Sequence, residues 1–132
     1  MKLMRLALTL CLLVVSGLTS SLASATNYTL WINGRTGGDG VRKLVQEQWL
    51  PALHAHRPQM IFVSAGFDAH RDDDMGGMAL VEADYAWITR QIMAVAKQHA
   101  QGRIVSCLEG GYNLSALGRS VVAHVKALAG ID

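Results

Sequence analysis

The chain has 132 residues, 51% of them apolar, and a formal net charge of +2. That length holds one domain, and a charge so close to balance, with no cluster of Lys or Arg, excludes an electrostatic nucleic-acid footprint. Two cysteines, Cys11 and Cys107, are too few for a disulfide framework.

Residues 1–25 differ from everything after them. Lys2 and Arg5 precede an apolar run over 6–15, Ser16 and Gly17 break it, and Ala23-Ser24-Ala25 has the small-x-small form of a signal-peptidase site. The run is shorter than the ~20 residues a membrane span needs. Two readings stay open. One is a cleaved secretory leader, giving a secreted or periplasmic mature chain from about Thr26 with no transmembrane span. The other is an aberrant N-terminal segment on a domain covering 26–132.

The elements then follow in order. Residues 28–32 form a strand candidate, and Asn33 to Gly38 read as a loop. Asp39 is placed to cap a helix whose inner face is Val41, Leu44, Val45, Trp49 and Leu53. Pro51 interrupts that helix or opens a second turn at its N1 position, and Pro58 ends it. Residues 60–63 are an unbroken apolar strand, the pattern of a strand covered on both faces. An Asp- and Gly-rich loop leads to a long helix over about 82–100, with Tyr85, Ile88, Ile92, Val95 and Ala96 as its apolar stripe. Gly102 stops it. Residues 104–108 make the next strand, in which Cys107 is expected as a small buried hydrophobe. Asn113 caps a last helix with the stripe Leu114, Leu117, Val121, Val125 and Leu128. Strand and helix alternate three times, so the expected fold class is α/β, a partial three-layer α/β/α parallel sheet with one apolar edge left open. That edge is an aggregation hazard or a docking site for a partner chain or oligomer.

Two motifs carry chemistry. The first is Ser64-Ala65-Gly66-Phe67-Asp68-Ala69-His70-Arg71-Asp72-Asp73, and the second is Glu109-Gly110-Gly111-Tyr112-Asn113. Each follows a strand and precedes a helix, which places a carboxylate and a phenol at the C-terminal ends of neighbouring strands, the edge where open α/β sheets hold ligands. By spacing alone, Asp68 reads as a loop or capping residue and Tyr112 as a ring packed over a helix start. Asp72, Asp73 and Asp74 read as a solvated or capping run. Asp68 and His70 have Asp-x-His spacing, yet His70 reads more simply as a loop histidine bonded to nearby carboxylates. His54, His56, His99 and His124 read as helix-end or helix-face residues, and Trp31, Trp49 and Trp87 as core or helix-face residues.

Taken together and with their flanks (Leu50-Pro51-Ala52-Leu53, Arg57-Pro58, Met75-Gly76-Gly77, Glu82-Ala83-Asp84-Tyr85), these motifs resemble the C-terminal part of the zinc-dependent histone deacetylases and the related acetylpolyamine amidohydrolases. The bacterial class II-like branch is the nearest in wording. The resemblance runs from about residue 27 to residue 130 and implies an arginase/deacetylase-like fold. It implies that Asp68 is a carboxylate ligand of a catalytic Zn2+ and that Tyr112 hydrogen-bonds the substrate carbonyl and the oxyanion it becomes. By the same resemblance Gly110 and Gly111 form the turn beside an acyl-lysine tunnel that Met75 lines. Asp74 stands where many members have Pro.

The implied reaction is hydrolysis of an N-acetyl amide on acetylated lysine or polyamine, in the cytoplasm by family habit. A catalytic zinc takes three protein ligands and one open position. The family's earlier Asp-x-His ligand pair and its His-His acid/base pair have no counterpart here. The expectation is therefore a truncated deacetylase, weak or inactive alone. The competing reading is a non-catalytic remnant or subunit that binds a partner through its open sheet edge.

Overall fold

The computed structural model describes residues 36–131 in full and, upstream of them, only the backbone of four short strands. These are β1 (Leu6–Leu8), β2 (Leu12–Ser16), β3 (Ser24–Thr26) and β4 (Leu30–Ile32). Most of the expected leader, together with Cys11 and Tyr28, lies outside the described residues.

The first helical stretch is continuous but changes register. Helix α1 (Gly38–Leu44) passes into a π-helical turn (Val45–Trp49) and then α2 (Leu50–His56). Pro51 explains the change: it has no N–H to give to residue 47, and the Leu50 N–H reaches five residues back, to Val45 O. Asp39 is exposed inside the first turn of α1 rather than capping it, because Gly37 occupies the cap position. Val41, Val45, Trp49 and Leu53 are buried as one face. Arg57 ends α2 in the left-handed conformation (φ 53°), and Pro58 follows.

Strand β5 (Ile61–Ala65), helix α3 (Glu82–His99) and strand β6 (Ile104–Leu108) form a β–α–β unit, and the two strands pair in parallel from Ile61↔Ile104 to Ala65↔Leu108. Helix α3 buries its expected stripe, Tyr85, Ile88, Ile92, Val95 and Ala96. Acidic Glu82 and Asp84 stand in its first turn and basic Lys97 and His99 in its last, as the helix dipole favours. Asp84 accepts the Val81 N–H (3.0 Å) and the Arg42 guanidinium (2.9 Å), fastening α1 to the start of α3. At the other end the Gly102 N–H returns to Ala96 O (2.9 Å). No described helix is long and apolar enough to cross a membrane.

The α/β class is as expected, with strand and helix alternating from β5 to the last helix and β5 parallel to β6, but three further details need correction. The strand at the place of 28–32, β4, pairs antiparallel with β1 in a separate two-stranded ladder, and the position beside β5 is taken by β2, also antiparallel. The four-stranded sheet runs β3-β2-β5-β6, so only β5 and β6 are parallel and β6 is an outer strand.

Second, the sheet is covered on one face among the described residues. Ile61, Val63 and Ala65 are buried on that face, while Val105 and Cys107 of β6, on the other, are exposed. Cys107 is therefore a surface thiol, not a core residue.

Third, helix α4 (Leu114–Ala129) is rotated from the expected stripe: Leu117 and Val121 pack against the core as expected, but the most buried line lies beside them. The helix buries Ala116, Ser120, His124 and Ala127, whereas Leu114 and Val125 face outward. Small residues at 116, 120 and 127 let α4 come close to α3, and contact with α3 rather than hydropathy sets the rotation of the helix.

Candidate functional site

The two motifs emerge side by side because the parallel ladder continues past the ends of its strands. The Glu109 N–H donates to Ala65 O (3.0 Å) and the Phe67 N–H donates to Gly110 O (2.8 Å). Asp68 comes next on one chain, and Gly110 to Tyr112 on the other. A Cβ added to either Gly66 or Gly110 would stand 3.0 Å from Asp68 Oδ1, closer than nearly all side chains tolerate. Glycine at these two positions is what gives the carboxylate its room. Gly111 has φ +134°, a conformation that favours glycine in the turn into α4, and a Cβ there would also push on the Leu117 side chain. The Asn113 side chain then accepts the Ala116 N–H (3.0 Å) as the helix cap.

Beneath this rim the Phe67 ring is buried against Tyr85 (centroids 5.1 Å apart) and His124 (5.7 Å). The Tyr85 hydroxyl donates to Phe67 O (3.0 Å). Burial, with the Asp68 charge nearby, pushes that hydroxyl far above the ordinary tyrosine range, so it stays a donor at every working pH. His124 bridges three elements: Nδ1 meets Thr89 Oγ1 (2.7 Å) on α3 and Nε2 meets Ser106 Oγ (2.9 Å) on β6. Thr89 gives its own hydroxyl proton to Tyr85 O (2.7 Å), which fixes the direction of the chain: His124 donates from Nδ1 and accepts from Ser106 at Nε2. Burial holds its pKa below the usual histidine value, consistent with the neutral ring.

A cavity of about 310 Å3 opens here, lined by Asp68, Glu109, Gly110, Tyr112, Tyr85 and His124, with apolar walls from Val41, Trp49, Ile88 and other core residues. Asp68, Gly110 and Tyr112 of the expected set thus face one space. Met75 and Gly111 are not among its lining residues. Met75 lies on the surface, 59% exposed, and Tyr112 is 62% exposed.

His70 behaves as a loop histidine among carboxylates. It is buried, its Nδ1 accepts the Asp72 N–H (3.0 Å), and its Nε2 faces Glu82 Oε1 at 3.4 Å. Both ring nitrogens point to those neighbours. Outside it, Arg119 ties Glu82 (2.5 Å) and Asp72 (2.9 Å) to α4. The hydrogen bond from Arg119 pulls the Glu82 carboxyl down to about 2.

The residue that sequence reasoning missed is Asp73. The acidic run reads as solvated or capping, and Asp72 and Asp74 are exposed, but Asp73 is only 3% exposed. Its Oδ2 accepts the N–H groups of Tyr112 (2.6 Å) and Asn113 (2.9 Å), and its Oδ1 accepts the Met75 N–H (3.0 Å). Burial alone would raise its pKa, but the three donors and nearby His70 overcome that and leave it below the ordinary carboxylate value. Nothing in the spacing distinguishes Asp73 from its two neighbours. The partners lie 39 and 40 residues away, and only the fold brings them in.

Among the described residues, no three His, Cys, Asp or Glu side chains converge where a metal ion could be held. Asp68 shares the cavity with Glu109 and His124, but the three do not converge on one point, so the described residues do not fit a site that takes three protein ligands.

Residues 16–128 match the family model described as Histone deacetylase domain. Among curated proteins, the chain is 34% identical over 118 residues to "Histone deacetylase 14, chloroplastic" of Arabidopsis thaliana, covering 89% of this chain and 28% of that one. It is 48% identical over 89 residues to "Type-2 histone deacetylase 2" of Dictyostelium discoideum, covering 62% of this chain and 5% of the relative. Among solved structures, the histone deacetylase Clr3 superposes with a TM-score of 0.70 at 32% identity over 75% of this chain and 16% of that one. The HDA15 HD domain superposes with a TM-score of 0.68 at 33% identity, over 74% of this chain and 27% of that one. The chain therefore spans under a third of the length of each of these proteins. With its sequence matched over 16–128 and its β5–α3–β6–α4 unit built as described, the chain belongs to the histone deacetylase family.

Proposed function

We propose that this chain carries the oxyanion-side part of a deacetylase centre for N-acetyl amides such as acetyl-lysine or acetylpolyamine, and that alone it hydrolyses them weakly or not at all. The observation that supports this reading is the shared cavity of Asp68, Gly110 and Tyr112 at adjoining strand ends. Tyr112 is solvent-accessible and follows a two-glycine turn in which Gly110 leaves room for the Asp68 carboxylate. A phenol there donates to a carbonyl oxygen and stabilises it more as negative charge grows, and a donor of this kind is typically worth ~3 kcal/mol of barrier.

The family is zinc-dependent, but no three ligands converge among the described residues, which is fewer than a catalytic zinc takes. Asp68 is the residue of this chain that would contribute to such a site.

The test is to purify the full chain, measure bound zinc, and follow hydrolysis of an acetyl-lysine peptide with zinc added. The expected result is zinc well below one equivalent and hydrolysis near the uncatalysed background. Stoichiometric zinc, with hydrolysis abolished by Tyr112→Phe and by Asp68→Ala, overturns the inactivity part and strengthens the site assignment. A second reading, a non-catalytic partner-binding subunit, is favoured by the outer strand β6, where Val105 and Leu108 are 37% and 62% exposed. It predicts oligomers or a co-purifying partner by size exclusion, and indifference of that assembly to Asp68→Ala.

A further inference from the structure

We propose that Asp73 is the positioning residue of this site: its buried carboxylate is the anchor that holds the backbone of Tyr112 itself against the loop carrying Asp68. The inference rests on the reading of Tyr112 given above and extends it to a residue outside the cavity.

The geometry is specific. One oxygen, Oδ2, takes two consecutive backbone donors, Tyr112 (2.6 Å) and Asn113 (2.9 Å), and the other takes Met75 (3.0 Å). Charge-assisted bonds to backbone N–H groups are about twice as strong as neutral ones. Because the N–H of Tyr112 is on the residue that bears the phenol, fixing it fixes the origin of the side chain. The Asp73 N–H donates to His70 O (2.9 Å), within the loop that carries Asp68, so the carboxylate is itself held from the Asp68 side.

Without Asp73 the turn has few alternatives. Its other ties to the 66–80 loop are the Phe67 N–H to Gly110 O and the Asn113 amide to Asp72 O (2.9 Å), which flank Tyr112 without holding it. Gly111, at φ +134°, adds no stiffness of its own. A phenol that is 62% exposed makes little packing contact to hold its ring in place. Its position is therefore set through its backbone. A displacement of ~1 Å at a reacting group is enough to cost about a hundredfold in rate, so an anchor acting on the backbone matters even though it touches no substrate.

The experiment is solution NMR on the full-length labelled chain, with an acetyl-lysine peptide as probe. In the unmodified protein, couplings across the hydrogen bonds from the Tyr112 and Asn113 nitrogens to the Asp73 carboxyl carbon are expected, together with slow exchange of both amides. In Asp73→Asn, the two amides should exchange at least about tenfold faster. The ring signals of Tyr112, one of only three tyrosines, should move, while amides of β5 and the middle of α3 keep their rates. Unchanged exchange and an unmoved Tyr112 ring overturn the proposal. So does a uniform acceleration across β5 and α3, which marks a merely structural role.

If Asp73→Asn does not fold, Asp73→Glu decides. It keeps the charge and lengthens the arm by one methylene, so a shifted Tyr112 ring in a retained fold supports the anchor and an unshifted one overturns it. Peptide that leaves the Tyr112 ring unperturbed in the unmodified chain sinks the acyl-amide reading, and the anchor is then judged on exchange alone.

Discussion

Replacing Gly76 by alanine would drive a methyl group into the backbone of Asp68. Gly76 is buried, and a Cβ there would fall well inside the radius of the Asp68 carbonyl oxygen, 2.5 Å from its carbonyl carbon and 3.1 Å from the Ala69 nitrogen. Carbon atoms pack comfortably at about 3.5–4.0 Å, so the Asp68 peptide must retreat by roughly 1 Å. Overpacking of this kind costs about 1–3 kcal/mol, and because the obstacle is backbone rather than a flexible side chain the upper end applies. At about 4 °C per kcal/mol for a chain of this size, melting should fall by roughly 12 °C. Two other glycines supply the controls. Gly118 lies in the middle of α4 with nothing within 4 Å of a Cβ, so Gly118→Ala should gain about 1 kcal/mol through helix propensity. Gly77 has equally open space but φ +59°, so Gly77→Ala should lose about 1 kcal/mol from backbone strain alone. Thermal and urea unfolding followed by circular dichroism gives the order 118 above the parent, then 77, then 76. A Gly76→Ala protein as stable as the parent would refute the close approach of the two halves of this loop.

Three further outcomes follow from the site. Burial lowers the folded pKa of His124 below the unfolded ~6.5, so its contribution is complete above about pH 6.5 and is lost as pH falls through the folded value; urea midpoints from pH 7.5 to 5 should drop in the parent and stay flatter in His124→Leu. Glu82, held at about 2 by its hydrogen bond from Arg119 against an ordinary 4.5, contributes above about pH 4.5 and loses that contribution as pH falls toward 2. Arg119→Gln should reduce the acid sensitivity in that window, and added salt should shrink the difference between the two proteins, as acid titration of the folded fraction would show. Asn113→Ala removes the α4 cap and should cost about 1 kcal/mol in urea unfolding, with faster amide exchange in the first turn of α4 than in its centre.

Much of this chain was legible before any fold was known, and the reasons are local. Helix α3 announces itself through apolar residues at helical spacing, acidic residues at its start and a glycine past its end, all of which act within one or two turns. The strands β5 and β6 are short apolar runs closed by glycine-containing turns, and Pro51 marks the register change between α1 and α2 through the donor it lacks. Each motif is one unbroken stretch directly after a strand, which is why a carboxylate at 68 and a phenol at 112 could be assigned to neighbouring strand ends.

What only the tertiary structure decided depends on partners far along the chain. The rotation of α4 follows its contact with α3, so Ser120 and His124 are buried while Leu114 is not. Cys107 is exposed because no described helix covers that face of β6, a fact the strand pattern does not contain. The place beside β5 goes to an antiparallel strand from the apolar N-terminal run, since sheet order is a matter of which edges meet and not of local propensity. Asp73 is the clearest case. Between two exposed aspartates it has no sequence mark of its own, and it becomes an anchor only when the fold delivers Tyr112 and Asn113 to its carboxylate, because a buried charge needs partners and here backbone donors supply them.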